Sequence, residues 1–340
     1  LESQMYPIGD ELIALGIKTH LLNCKHSYLD IRKLFKLLKV IKQFQPNIIH
    51  SHLFDSNLYA RIAGIIARVP ILIIHEHNTF HEKEKFFRLP VYADQLLSKY
   101  TYKIITISEA VQEFTQKQER IESDKFIIIK NCIDTSKFNI PDWQNQSALV
   151  RKELGIRKDE MMMICVAGFR EQKGHNYLID AINLLKYKNA KLILVGDGPL
   201  RKDIEKKVEN YDLESRVHFL GMRRDVPNLL NAADFFVLPS LWEGQGLVII
   251  EAMASGLPVV ATKVGGIPEY ITEHEGYLVE PGNVDSLVKG IEYTIERIMM
   301  KRFDNHNMRI KAQRDFDIKK YIGRIEKLYS EAMGSVSCVE

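Results

Sequence analysis

Only four cysteines occur in the 340 residues, Cys24, Cys132, Cys165 and Cys338, and no two form a Cys-x-x-Cys pair. This argues against a disulfide scaffold and a zinc ribbon and points to a reducing cytoplasm. Long apolar runs are missing as well. The most apolar stretch, Ile62 to Ile74, is interrupted by Arg68 and Pro70 and falls short of the roughly 18 to 20 uninterrupted apolar residues of a membrane span. The start, Leu1-Glu2-Ser3-Gln4, has neither the basic opening nor the apolar middle of a signal peptide. Charge of one sign is not in surplus either. The 47 basic and 44 acidic side chains leave a net charge of +3, too balanced for a nucleic-acid partner bound by counterion release.

What is present is the composition of a soluble protein, 46% hydrophobic and 27% charged, with a chain too long for one comfortable core. Short β-branched runs alternate with longer amphipathic segments throughout, which predicts an α/β fold of helices covering mostly parallel sheets. Strands are expected at Ile17–Leu22, Asn47–His50, Ile71–His75, Lys103–Ile107 and Phe126–Ile129. A second series is expected at Met161–Ala167, Lys191–Val195, Val217–Leu220, Phe235–Leu238, Pro258–Ala261 and Tyr277–Val279. The polar stretch Asn139–Ser147 lies between the series and reads as a linker. The expected organisation is a first domain over 1–140, a second over 148–317, and a terminal helix over 318–340 that packs back towards the first. Residues 1–15 read as a helix feeding the Ile17 strand. In a right-handed βαβ unit such a helix follows a parallel strand, so a further strand and loop of about 15 to 20 residues are expected upstream of Leu1.

The segment EGQGLVIIEAMASG, Glu243 to Gly256, reads as a glycine-loosened loop entering a helix near Leu247. The free amides of Gly246, Leu247 and Val248 at such a helix start suit a phosphate. Glu251 lies one turn after Leu247 on the same face, and its two carboxylate oxygens suit the vicinal hydroxyls of a ribose. By spacing alone, Glu243 and Glu251 could equally be a helix-start charge and a solvated helix charge. In VAGFREQKG, Val166 to Gly174, Arg170 and Lys173 follow a strand directly, at the sheet edge where doubly wound folds bind ligands. His50 and His52, and likewise His75 and His77, lie two apart at strand ends and can project to one side. Zinc is conceivable there with Asp55 and Glu76 near, but polar contacts are the commoner use.

The Glu-x7-Glu pair, with VGDGPLR (195–201), FLGMRRDVPNLL (219–230), ADFFVLPS (233–240) and GLPVVATKVGGIPE (256–269), resembles the retaining glycosyltransferases of the GT-B fold, family four. The likeness continues with less force through IIHSHLFDSN (48–57), ITISEA (105–110) and KNCIDTSKF (130–138). It implies two Rossmann-like doubly wound domains facing each other across a cleft. It also implies transfer of a sugar from a nucleotide-diphosphate donor, held on the second domain, to an acceptor on the first, with no metal and no cofactor. On this likeness Glu251 holds the ribose and Glu243 faces the donor sugar. The amides of Leu247 and Val248, next to Gly246, hold the distal phosphate, and the base rests along the loop around Met222. Gly196 is either a donor contact or only a turn glycine. His77 lies beside the transferred sugar and His52 near the acceptor. The likeness aligns Lys173 well, but its usual arginine falls on Gly168, so Arg170 is expected to substitute. The fixed cations Arg170 and Lys173 then stabilise the leaving diphosphate.

The resemblance implies a glycan or lipid-linked acceptor of bacterial surface polysaccharide synthesis. The alternatives are a sugar-nucleotide epimerase of the same fold and a catalytically silent binding subunit. From Ile31 to Phe44, Arg32, Lys33, Lys36, Lys39 and Lys42 share one helix face opposite Leu34, Leu37, Leu38 and Ile41. This is either a solvated basic face or a peripheral membrane contact, in which each basic charge near anionic lipid adds about 1 kcal/mol.

Overall fold

A computed structural model describes residues 7–22, 30–78, 89–140 and 143–337. The first sheet is parallel, in the order β1 (Ile48–His52), β2 (Ile71–Glu76), β3 (Lys103–Thr106) and β4 (Phe126–Ile128). The second contains β5 (Met161–Val166), β6 (Ala190–Val195), β7 (Val217–Gly221), β8 (Phe235–Leu238), β9 (Val259–Thr262) and β10 (Gly276–Val279). Its order is β10-β9-β8-β5-β6-β7, every pairing parallel. Read from β7, this is the doubly wound arrangement in which the chain reverses direction between β5 and β8, leaving a crevice beyond their carboxyl ends. Every residue of β2, β8 and β9 is buried, because helices cover both faces of a parallel sheet.

Two expectations fail. The stretch Ile17–Leu22 forms no strand, since no strand among the described residues lies alongside it to form a ladder, and Ile17 and Leu21 are about half exposed. A helix, Pro7–Ala14, does precede it, and residues 1–6 of the expected helix lie outside the described residues. The polar stretch 139–147 is not all linker, because a helix already begins at Trp143 and runs Trp143–Glu153. Val150 buries its side chain in the second core and Arg151 pairs with Asp234 at 3.0 Å, so tertiary anchoring overrides the local polarity.

The last helix, Ile318–Ser337, buries Leu328 and Ala332 against Ile71, Ile73 and Ile105 of the first sheet and Ile129 just beyond β4. Before reaching it the chain passes segment 129–135. There the Ile133 amide donates to Phe316 O, and the Ile318 amide donates back to Ile133 O, both at 3.0 Å. No helix among the described residues is long and apolar enough to cross a membrane.

Candidate active site

The crevice between β5 and β8 collects the residues expected there. Beyond β8 the chain runs through Ser240 and Glu243 to Gly246, whose φ of 73° turns it into the helix Leu247–Ala254. Beyond β5 it runs through Gly168 and Arg170 to the short 3-10 helix Glu171–Lys173. The Lys173 ammonium meets the Glu243 carboxylate, which also accepts from Ser240 Oγ at 2.8 Å. Glu243 is buried, and a buried carboxylate is stable only with such partners. Gln172 Nε2 donates to Trp242 O at 2.9 Å and Thr262 Oγ1 to Ser240 O at 2.6 Å, so both loops are fixed by side chains of their neighbours.

Glu251 stands at the fifth position of the Leu247 helix. Its carboxylate makes no hydrogen bond or ion pair among the described residues, and burial pushes it up from 4.5 to about 7. Leu247 is more than a third exposed and Val248 partly so. The first amides of any helix lack intrahelical acceptors, so a ligand arriving here meets free donors with a half-buried carboxylate one turn behind.

Gly244 plays a different part from the loosening expected of it. A Cβ there would overlap His77 O and approach Ile107 Cδ1 to 2.8 Å, so the missing side chain makes room for the first sheet rather than for a ligand. The same junction is bonded at several points. Ser108 Oγ donates to Gly244 O at 3.3 Å, and the Ala110 amide donates to Glu269 Oε1 at 3.1 Å. The Asn131 amide donates to Gln245 Oε1 at 2.8 Å, and Gln245 Nε2 returns to Asn131 O at 3.2 Å. Lys130 and Glu269 pair at 3.6 Å. The carboxyl ends of both sheets therefore meet around the 243–246 loop.

Arg170 is exposed, and its guanidinium has no partner among the described residues. At Gly168 a Cβ would meet only Asp197 O, at 3.5 Å, so a side chain would fit and the glycine is not demanded by crowding. Gly196, by contrast, has φ 136° and a Cβ would run into Ala167 O. It is required by the approach of the 196–198 loop to the 167–169 loop, where the Phe169 amide donates to Asp197 O at 3.0 Å. Met222 is 83% exposed just beyond β7, beside Arg223, which Asp225 and Glu153 hold at 2.7 and 3.1 Å.

On the first sheet the four histidines form one row. His52 opposes His75 in register. Ring centroids lie 4.5 Å apart for His50 and His52, 4.9 Å for His52 and His75, and 4.2 Å for His75 and His77. His52 Nδ1 and His77 Nε2 are 3.0 Å apart, and His50 Nδ1 meets the Tyr329 hydroxyl at 2.6 Å. Burial, then the neighbouring rings, lowers His50 and His77 to about 4 and His75 to about 2, and burial lowers His52 as well. The row is neutral at pH 7.

Sequence reasoning missed Ser240, Gln245, Tyr270 and Tyr329. Tyr270 is fully enclosed and its hydroxyl donates to Gln245 O, supporting the loop from beneath. Gln245 lay inside the quoted motif as a spacer, and its amide could have been suspected because a glutamine between two glycines has no packing role. Tyr329 reaches the histidines from a helix some 280 residues away, for which no local signal exists.

Residues 146–313 match the family model for glycosyl transferases group 1, and residues 6–137 match that for glycosyltransferase family 4. The UDP-Gal:alpha-D-GlcNAc-diphosphoundecaprenol alpha-1,3-galactosyltransferase of Escherichia coli is 29% identical over 310 residues, 88% of this chain and 79% of the relative. The N-acetyl-alpha-D-glucosaminyl L-malate synthase of Bacillus anthracis is 34% identical over 186 residues, 54% of this chain and 49% of the relative. The Anabaena protein HepE, solved in complex with UDP-glucose, superposes with a TM-score of 0.83 at 26% identity, covering 95% of this chain and 88% of its own. With two parallel sheets meeting at their carboxyl ends, the second doubly wound, and both halves matched, the chain belongs to the group 1 glycosyl transferases and has the GT-B fold.

Proposed function

We propose that the chain is a retaining, metal-independent hexosyltransferase that moves sugar from a UDP-sugar to a glycan or lipid-linked acceptor in surface polysaccharide synthesis. The observation that carries this reading is the pairing of two carboxylates at one helix start. Glu243 is buried and held by Lys173 and Ser240, and Glu251, one turn into the helix, has no partner among the described residues. The UDP-galactose and lipid diphosphate in the name of the E. coli relative, and the UDP-glucose bound to HepE, support the donor and acceptor classes.

In this reading the ribose hydroxyls donate to Glu251, the distal phosphate sits on the amides of Leu247 and Val248 after Gly246, and the base lies along the loop of Met222 near Gly196. As the bond from the anomeric carbon to the phosphate oxygen breaks, the acceptor hydroxyl oxygen bonds to that carbon on the same face and its proton passes to the departing phosphate oxygen, while charge grows on the diphosphate. Arg170 and Lys173 offset it as fixed cations, Lys173 passing from Glu243 towards the phosphate. Glu243 orients the donor sugar, with His77 beside it and His52 on the acceptor side. A lipid-linked acceptor also gives a use to the helix Arg32–Phe44, on which Phe35 is 65% exposed beside the exposed Arg32, Lys36 and Lys39. We assign peripheral contact with anionic lipid to that face, and Phe35→Ala should weaken sedimentation with anionic vesicles.

The test is a panel of nucleoside diphosphates and their sugars in a thermal-shift assay, followed by NMR of the transfer product. A UDP-sugar at a hundred times its dissociation constant should add about 2.7 kcal/mol. An inverted anomer would reject retention. Product formation without any acceptor would favour an epimerase, and donor binding without turnover would favour the silent alternative.

A further inference from the structure

The histidine row holds more nitrogen atoms than its hydrogen bonds use. His75 is fully buried, and neither of its ring nitrogens has a partner among the described residues. His50 Nε2 is likewise buried without a partner among the described residues. A buried unpaired ring nitrogen is costly, and three of them side by side need an explanation. One nitrogen from each of His50, His52 and His75 lies within 4.8 Å of the others, the only such group of three potential ligands among the described residues.

We propose that His50, His52 and His75 form a binding site for a divalent transition metal, zinc being the best fit, on the cleft end of the first sheet. Three neutral imidazoles with one open position are a common zinc ligand set. Two of the three already have their other nitrogen engaged as metal-bound histidines usually do. His50 Nδ1 is on the Tyr329 hydroxyl, which leaves Nε2 for the metal, and His52 Nδ1 is on His77 Nε2. Zinc–nitrogen bonds of about 2.0 to 2.1 Å at the tetrahedral angle need nitrogens about 3.3 Å apart. The rings must therefore tilt together from their present spacing, and the exposed His52 is free to do so. Asp55, on the following helix, is already paired with Lys33 at 3.4 Å, and Glu76 accepts from Asn57 Nδ2 at 2.8 Å, so neither carboxylate is needed as a ligand.

Metal binding is independent of any role in transfer, but a consequence follows if His52 serves the acceptor. A metal on His52 removes it from that work, so zinc should inhibit transfer and chelation should restore it. The full chain, stripped with EDTA, is titrated with cobalt chloride and zinc chloride, and bound metal is counted by mass spectrometry. Expected are one cobalt per chain with the visible absorption of a tetrahedral site, displacement by zinc, and loss of both in His50→Asn and His75→Asn. Tyr329→Phe keeps all three ligands and should weaken binding on the order of tenfold. His218→Asn should change nothing. Less than one metal per chain, an octahedral spectrum, or unchanged binding in natively folded His50→Asn would overturn the site. If His75→Asn does not fold, the cobalt spectrum and the His50→Asn and Tyr329→Phe titrations decide. UDP binding, measured in the same samples without metal, reports separately on the transferase reading.

Discussion

Burial lifts the Glu251 carboxyl to about 7, which links pH to stability and, under the proposed ribose role, to donor binding. Its folded value lies above the ordinary 4.5, so its contribution to stability is full below pH 4.5 and is lost as the pH rises through 7. Glu251→Gln should therefore be more stable than the parent at pH 8, on the order of 2 to 3 kcal/mol, and equal to it near pH 4. Donor binding should run the other way. Ribose hydroxyls donate best to the ionised form, so UDP affinity should rise on the order of tenfold between pH 6 and 8 and be weak and flat with pH in Glu251→Gln. Calorimetry at the two pH values decides, and unchanged affinity in the folded variant would remove Glu251 from the ribose.

At Arg170 and Lys173 the expectation concerns chemistry without a metal at the diphosphate. Arg170→Ala should lower kcat on the order of a hundredfold, while EDTA leaves the parent activity in place. Since Gly168 has space for a side chain, Gly168→Arg combined with Arg170→Ala should recover part of the loss. Strict dependence on added magnesium or manganese would refute the assignment.

Among the elements, the helix His175–Leu184 opens on a histidine whose two ring nitrogens are buried with no partner among the described residues, stacked 4.4 Å from Phe169. Burial, and then the Lys173 charge, pushes His175 down to about 4. A base with a lowered folded value gives stability that is present above its unfolded value of 6.5 and lost as the pH falls towards 4. His175→Phe keeps the stack and removes the titration. Its acid unfolding profile should be flatter by about 3 kcal/mol between pH 6.5 and 4, as read from urea midpoints across that range. The loop Phe169 anchors also receives the Leu200 amide at 3.0 Å, so the stack supports the crevice as well as the helix.

For the whole molecule the decisive feature is the junction of the two sheets at Gly244. Gly244→Ala places a methyl group against His77 O, and the sheets must part locally to admit it. On the proposed placement of the donor on the second sheet, its affinity should hold, while kcat falls because His77 no longer meets the Glu243 loop. Small-angle scattering should show a slightly larger radius of gyration. Full activity in this variant would mean that the junction is not needed in the reacting state.

The sequence by itself determined the ten strands among the described residues, through their short β-branched runs, and the helix start at Leu247, which Gly246 and the motif announce. It determined the histidine pairs too, because alternate residues of one strand share a face. The tertiary structure alone decided that Ile17–Leu22 joins no sheet among the described residues, because a strand exists only through a ladder with a neighbouring strand. Only the tertiary structure showed that Gly244 serves the approach of the other sheet and that Lys173 rests on Glu243. It also brought Tyr329 to His50 across 279 positions. Each of these depends on which distant atoms come within a few ångströms, and local propensity carries no information about that distance.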